Sequence, residues 1–90
     1  MMDEIRQRGI ILDELKEQLS AGTISIGTAV KRLRNEVTGL RQEQFAGMCK
    51  ISLRTLRQLE QDEGNPTLQT LNAVFKPFGM RVGIVPLRRG

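Results

Sequence analysis

Ninety residues, 39% of them apolar and 3% aromatic, make one small domain, or one domain with a short appendage, around a limited core. A single Cys excludes an internal disulfide and any multi-cysteine zinc site and fits a reducing compartment. The absence of His removes imidazole as a metal ligand or general base. No apolar run reaches the length of a membrane span and the N-terminus has no signal-peptide pattern, so a cytoplasmic location is expected.

The net charge of +4 is unevenly placed. Residues 1–20 carry three basic and five acidic side chains, a net −2, whereas residues 21–90 carry eleven basic and five acidic, a net +6. A basic body with an acidic arm points to a polyanionic partner for the body and a separate role for the arm.

In chain order, Asp3 to about Ser20 reads as an amphipathic helix. Ile5, Leu12, Leu15 and Leu19 recur at helical spacing and Ile11 widens the stripe. Ala21–Gly22 ends it. Ser25 is the expected N-cap of a second helix, IGTAVKRLRNEV, with Ile26, Ala29, Val30, Leu33 and Val37 inward, while Lys31, Arg32 and Arg34 read as a solvated face. A third, short helix covers about Arg41–Met48. A fourth runs from Leu53 to Gln61 behind the cap Ser52, and the DEGNP run that follows is a dense turn signal. Thr67 caps a fifth helix with Leu68, Leu71, Val74 and Phe75 on one face, which Pro77 and Gly79 bring to an end. MRVGIV, alternating and β-branched, then reads as a strand before Pro86 and a short basic tail.

The stretch LRQEQFAGMCKISLRTLRQLE, residues 40–60, holds two short helices meeting at Cys49–Lys50–Ile51. Helices that cross at a large angle need a small residue at the point of closest approach, which Ala46 supplies. Phe45, Cys49, Ile51, Leu56 and Leu59 fill the inward positions. Arg54, Thr55, Arg57, Gln58 and Gln61 are left outward. This is the pattern of a helix-turn-helix, whose second helix enters the DNA major groove. An ordinary helical hairpin with a solvated basic face is the alternative reading of these residues alone.

Residues 26–79 resemble the Xre-type helix-turn-helix domain shared by phage Cro and repressor proteins. The resemblance rests on RLR before the motif, QEQFA in its first helix, IS at the turn, the inward Leu residues and Glu60 of its second helix, and NPTLQTL after it. It implies an all-α, lambda-repressor-like fold. The expected architecture is five helices, the N-terminal one included, with one C-terminal β-strand pairing across a dimer. The expected divisions are an N-terminal amphipathic helix at 1–22, the helix-turn-helix domain at 23–79, and a strand and basic tail at 80–90. Lys50 departs from the family, which often has Gly at this turn position, and Leu53 departs from the polar residue common in phage relatives.

The resemblance implies roles residue by residue. Gln42 resembles the family's phosphate- and base-contacting Gln. The base-reading set is Gln42, Leu53, Arg54, Thr55, Arg57 and Gln58, in which Arg54 has the chemistry to meet guanine and Gln58 that to meet adenine. Arg41, Lys50, Ser52 and Gln61 are the phosphate set.

A lone strand in a helical domain leaves its backbone groups unpaired, and its simplest partner is the same strand of a second copy. Met80, Val82 and Ile84 are the expected dimerisation residues, on one face toward the helices; an extended tail packed on its own monomer is the alternative. A segment such as KPFGMRVGIV after an Xre-type domain is similar to the HipB-like antitoxins, which repress their own operon and bind a HipA-like kinase toxin. The expected partners are therefore operator DNA with two-fold-related half-sites, a second copy of the chain and, in that setting, such a toxin. The N-terminal helix covers apolar surface on the bundle, contacts a toxin or extends the dimer. No catalytic, cofactor or metal constellation is expected, since Asp62 and Glu63 sit in a turn and no Gly-rich phosphate loop occurs. The function expected is a DNA-binding repressor and not an enzyme. A free-standing or phage-type regulator, or a protein-interaction module on the same fold, remain open beside it.

Overall fold

The computed structural model describes residues 2–87, so the tail residues Arg88 and Arg89 lie outside it. Helix α1 (Met2–Ala21) is followed by α2 (Ile26–Arg32), which continues as a π-helical segment over Leu33–Thr38. Next come α3 (Gln42–Cys49), α4 (Leu53–Glu60) and α5 (Leu68–Phe75), the last running into a 3-10 turn at Lys76–Phe78. No described helix is long and apolar enough to cross a membrane.

Side-chain caps start three helices. The Ser25, Ser52 and Thr67 hydroxyls accept from the backbone N–H three residues on, at 3.1, 3.0 and 3.1 Å, which satisfies a donor that the helix itself cannot. At the start of α3 the Gln44 side chain instead accepts from the Arg41 N–H at 3.1 Å. The widened turn at the end of α2 carries a side-chain bond of its own. The Thr38 hydroxyl donates to the Arg34 carbonyl at 2.6 Å, a back-bond to the preceding turn that bends and loosens helices.

Helices α1, α3 and α4 and the turn after α5 all end in one motif: a left-handed residue whose two flanking bonds reach back into the last turn. For α3 these bonds are Ile51 N to Ala46 O at 3.0 Å and Lys50 N to Gly47 O at 3.2 Å. The left-handed residues are Gly22, Lys50, Asp62 and Gly79. Lys50, at φ 58°, has neither glycine's freedom nor a short side chain to bond its own backbone, so it holds this conformation under strain.

The core gathers Leu15 of α1, Val30 and Leu33 around α2, Phe45 of α3, Leu56 of α4 and Val74 of α5, each essentially inaccessible to solvent. The Phe45 ring stacks on Phe78 with centroids 6.2 Å apart, closing the bundle from the α5 side. Because Leu15 is buried among these residues and Ile11, Leu12 and Leu19 pack at their edge, α1 is part of the same body and not an appendage to it.

Three inward assignments are corrected. Ile5 is exposed because α1 overhangs the body: every residue from Met2 to Ile10 faces solvent, and the stripe has nothing to meet there. Ile26 and Leu68 are exposed as the first residues of their helices, where the apolar face has not yet turned onto the core. The expected strand is not formed in the single chain. Residues 81–87 are irregular, for a strand needs a neighbour and none of the described residues offers one. Met80 packs against the core, but Val82 is exposed and Ile84 fully so, so the three do not share a face on the helices. The Val82 N–H is held by the Asn72 side chain at 2.7 Å.

Candidate nucleic-acid interface

Helices α3 and α4 meet where the sequence placed their crossing. Ala46 and Cys49 are buried on α3, Leu56 and Leu59 on α4, and the left-handed Lys50 turns the chain between them. The opposite face of α4 is left to solvent.

That face carries most of the expected contact residues. Arg54 and Arg57 are exposed on α4, with Thr55 and Gln58 half-buried beside them. Arg41, Lys50, Ser52 and Gln61 are exposed around its rim. Leu53 is half-buried at the helix start, and Gln42 is half-buried at the start of α3. Four of these side chains, Gln42, Ser52, Thr55 and Arg57, already have protein partners. The Thr55 hydroxyl accepts from Ser52 at 2.8 Å, and both ends of the Gln42 amide are engaged.

A buried ion pair lies directly beneath this surface. The Glu60 side chain, 1% exposed, receives Arg34 Nε at 2.6 Å and Nη2 at 2.9 Å. Arg34 is therefore not part of a solvated face: it is 13% exposed and also donates to the Leu40 carbonyl at 3.2 Å. Burial by itself would push the Glu60 carboxyl up, but the hydrogen bonds from Arg34 and Gln42 and the Arg34 charge outweigh it and hold the carboxyl below its usual range. The hydrogen bonds to Glu60 and its charge raise Arg34 against its own desolvation. Arg32, by contrast, lies outward and ties α2 to Glu36 at 2.6 Å and to Glu14 of α1 at 3.4 Å.

A second tie fixes the far end of α4. Asp62, left-handed at φ 56°, accepts from the Gly27 N–H at 2.7 Å and the Ser25 hydroxyl at 2.8 Å. A Cβ on Gly27 would lie 2.5 Å from the Leu59 carbonyl oxygen, so only glycine permits this approach. Arg34, Glu60, Gly27 and Asp62 set the pose of α4. Their pairings span 26 and 35 residues, which is why local pattern did not join them.

A basic-faced helix set across a second short helix by a tight turn, and fixed from behind by a buried ion pair, defines a helix-turn-helix DNA-binding unit. A family model described as helix-turn-helix matches residues 30–84, more than half of the chain, and the chain belongs to that family, in the Xre/Cro form that its motifs resemble. No curated protein and no solved structure matches it.

Proposed function

We propose that this chain is a sequence-specific transcriptional repressor that lays α4 in the major groove and acts as a homodimer. One observation carries the reading: α4 buries Leu56, Leu59 and Glu60 while holding Arg54 and Arg57 outward on a helix with a capped N-terminus. That is the arrangement that reads base edges with side chains while the rim takes phosphate. The experiment is selection from a pool of random duplexes, followed by a salt titration of the enriched site. Affinity for that site should fall linearly with salt on logarithmic axes, with a slope of about −0.9 per phosphate contacted. A pool that returns no enriched sequence would refute sequence-specific reading. Association with a protein that is insensitive to salt would favour an interaction module.

Dimerisation is proposed through residues 80–85. Ile84 and Val85 are exposed, and the segment borders a groove of about 540 Å³ lined by Leu19, Ile26, Phe75 and Met80. Pairing with the same segment of a second copy would satisfy its backbone and present two copies of α4 to half-sites about one helical turn apart. Deleting residues 80–90 should give monomers in sedimentation, whereas a dimer that survives the deletion would exclude this interface. The setting we favour is an autoregulating antitoxin partnered by a HipA-like kinase toxin, on the resemblance of KPFGMRVGIV. Co-expression with the product of the adjacent reading frame tests it, and failure of that product to co-purify would leave a free-standing regulator.

A further inference from the structure

The buried ion pair does not stop at Glu60. Gln42 Nε2 donates to Glu60 Oε1 at 3.1 Å, and Gln42 Oε1 accepts from Arg57 Nε at 3.4 Å. The direction of this relay is forced by chemistry. A carboxylate held low by its partners only accepts, so the Gln42 amide must turn its NH2 inward and its carbonyl outward, toward α4. An outward carbonyl is an acceptor that suits a guanidinium, and Arg57, exposed on the second turn of α4, supplies one. Arg57 uses only Nε in this contact, which leaves Nη1 and Nη2 free as a planar pair of donors.

We propose that Gln42 is a positioning residue for Arg57, holding its guanidinium so that the two terminal nitrogens meet O6 and N7 of one guanine in the bound site. The inference rests on the DNA-reading role proposed above. It differs from a direct role for Gln42: the α3 residue sets the angle and Arg57 makes the base contact. Leu53, at the opening of α4, cannot take part in such a relay, having no polar atom. The specificity of the second turn of α4 thus depends on a residue of another helix, anchored through Glu60 to Arg34 in the core.

The test uses the full-length chain and the duplex enriched from the random pool by the unaltered protein. Gln42→Met keeps the shape and removes both polar ends, Arg57→Met removes the reader, and Arg57→Lys keeps charge without the planar pair. Each variant is measured on the selected duplex and on four versions with each base at every position, and its thermal unfolding is recorded. Gln42→Met and Arg57→Met should lose preference for guanine at the same position, whereas Arg57→Lys, whose ammonium still reaches O6 and N7 without the planar pair, should keep a weakened one. Gln42→Met should bind the selected duplex roughly tenfold more weakly, part of the roughly 5- to 150-fold that a bidentate guanine contact is worth. The double variant Gln42→Met with Arg57→Met should be no weaker than Arg57→Met alone. A Gln42→Met protein that keeps the guanine preference while Arg57→Met loses it overturns the relay, as do losses that multiply in the double variant. Arg57→Met with unchanged base preference overturns it too. If the unaltered protein enriches no sequence, the DNA-reading role fails and takes the relay with it.

Discussion

Replacing Arg34 by Met isolates the element that holds α4 from beneath. The substitution strands the Glu60 carboxylate, whose side chain is 1% exposed, with Gln42 as its one remaining donor. Breaking a buried pair on one side costs about 3–5 kcal/mol, against roughly 5–13 kcal/mol expected for the whole of a chain this size. The midpoint of thermal unfolding should fall by roughly 12–24 °C for a loss of about 3 kcal/mol. Urea unfolding followed by far-ultraviolet circular dichroism at neutral pH reads the loss directly. Arg34→Met combined with Glu60→Met removes the stranded charge and should recover most of it. The pH dependence has a definite sign. Since the folded Glu60 carboxyl is held low, its contribution is complete above the unfolded value of about 4.3 and is lost as pH falls through the lower folded value. In Arg34→Met the stranded carboxyl gains by protonation instead, so the stability gap between the two proteins should narrow as pH falls from about 4.3 through the lower folded value of Glu60. A loss under about 1 kcal/mol, or a double variant no more stable than the single, would show that the pair is not what secures α4.

Gly27→Ala should destabilise the fold by about 1–3 kcal/mol in the same assay, because the new Cβ meets the Leu59 carbonyl and the Asp62 carboxyl; a neutral result would mean that α2 and α4 can separate freely. Lys50→Gly should raise stability by about 0.5–1 kcal/mol by releasing the left-handed strain at φ 58°, and a decrease would place the strain elsewhere. Arg54→Ala should cost about 1–3 kcal/mol on the selected duplex and relax base preference at one position. Equal losses on selected and random duplexes would assign Arg54 to phosphate.

The turn between α3 and α4 was legible because its signals are local. Ala46, the cap Ser52, and the spacing of Leu56 and Leu59 among polar residues each act within a few positions of chain. What sequence could not show lies in pairings across the fold. Arg34 reads as one more basic residue on a solvated helix until Glu60, far along the chain, closes on it. Gln42 and Arg57 read as two independent contact residues, and only their separation of 3.4 Å makes them one unit. Asp62 belongs to an evident turn, but nothing in DEGNP foretells that its carboxylate caps α2. The N-terminal helix misleads in the other direction. Its stripe is regular from Ile5 to Leu19, yet periodicity says nothing about where the body it packs on comes to an end. MRVGIV carries strand-like composition, but a strand is a relation between two segments and the single chain supplies one.

The contact of Asp62 with Gly27 and Ser25 bears on how the protein would meet a duplex. With Arg34 on Glu60 and Asp62 on the start of α2, the C-terminal end of α4 is joined to α2 and to its π-helical continuation, one tie charged and one at backbone closeness. Two such ties oppose independent sliding or tilting of α4 against the segment they anchor it to. On the proposed reading, adjustment on binding would fall to the side chains of Arg54 and Arg57 and to the duplex itself, whose bending and twist carry a sequence-dependent cost. A stiff reader of this kind would discriminate among sites partly by how readily each deforms, including at base pairs that no side chain reaches.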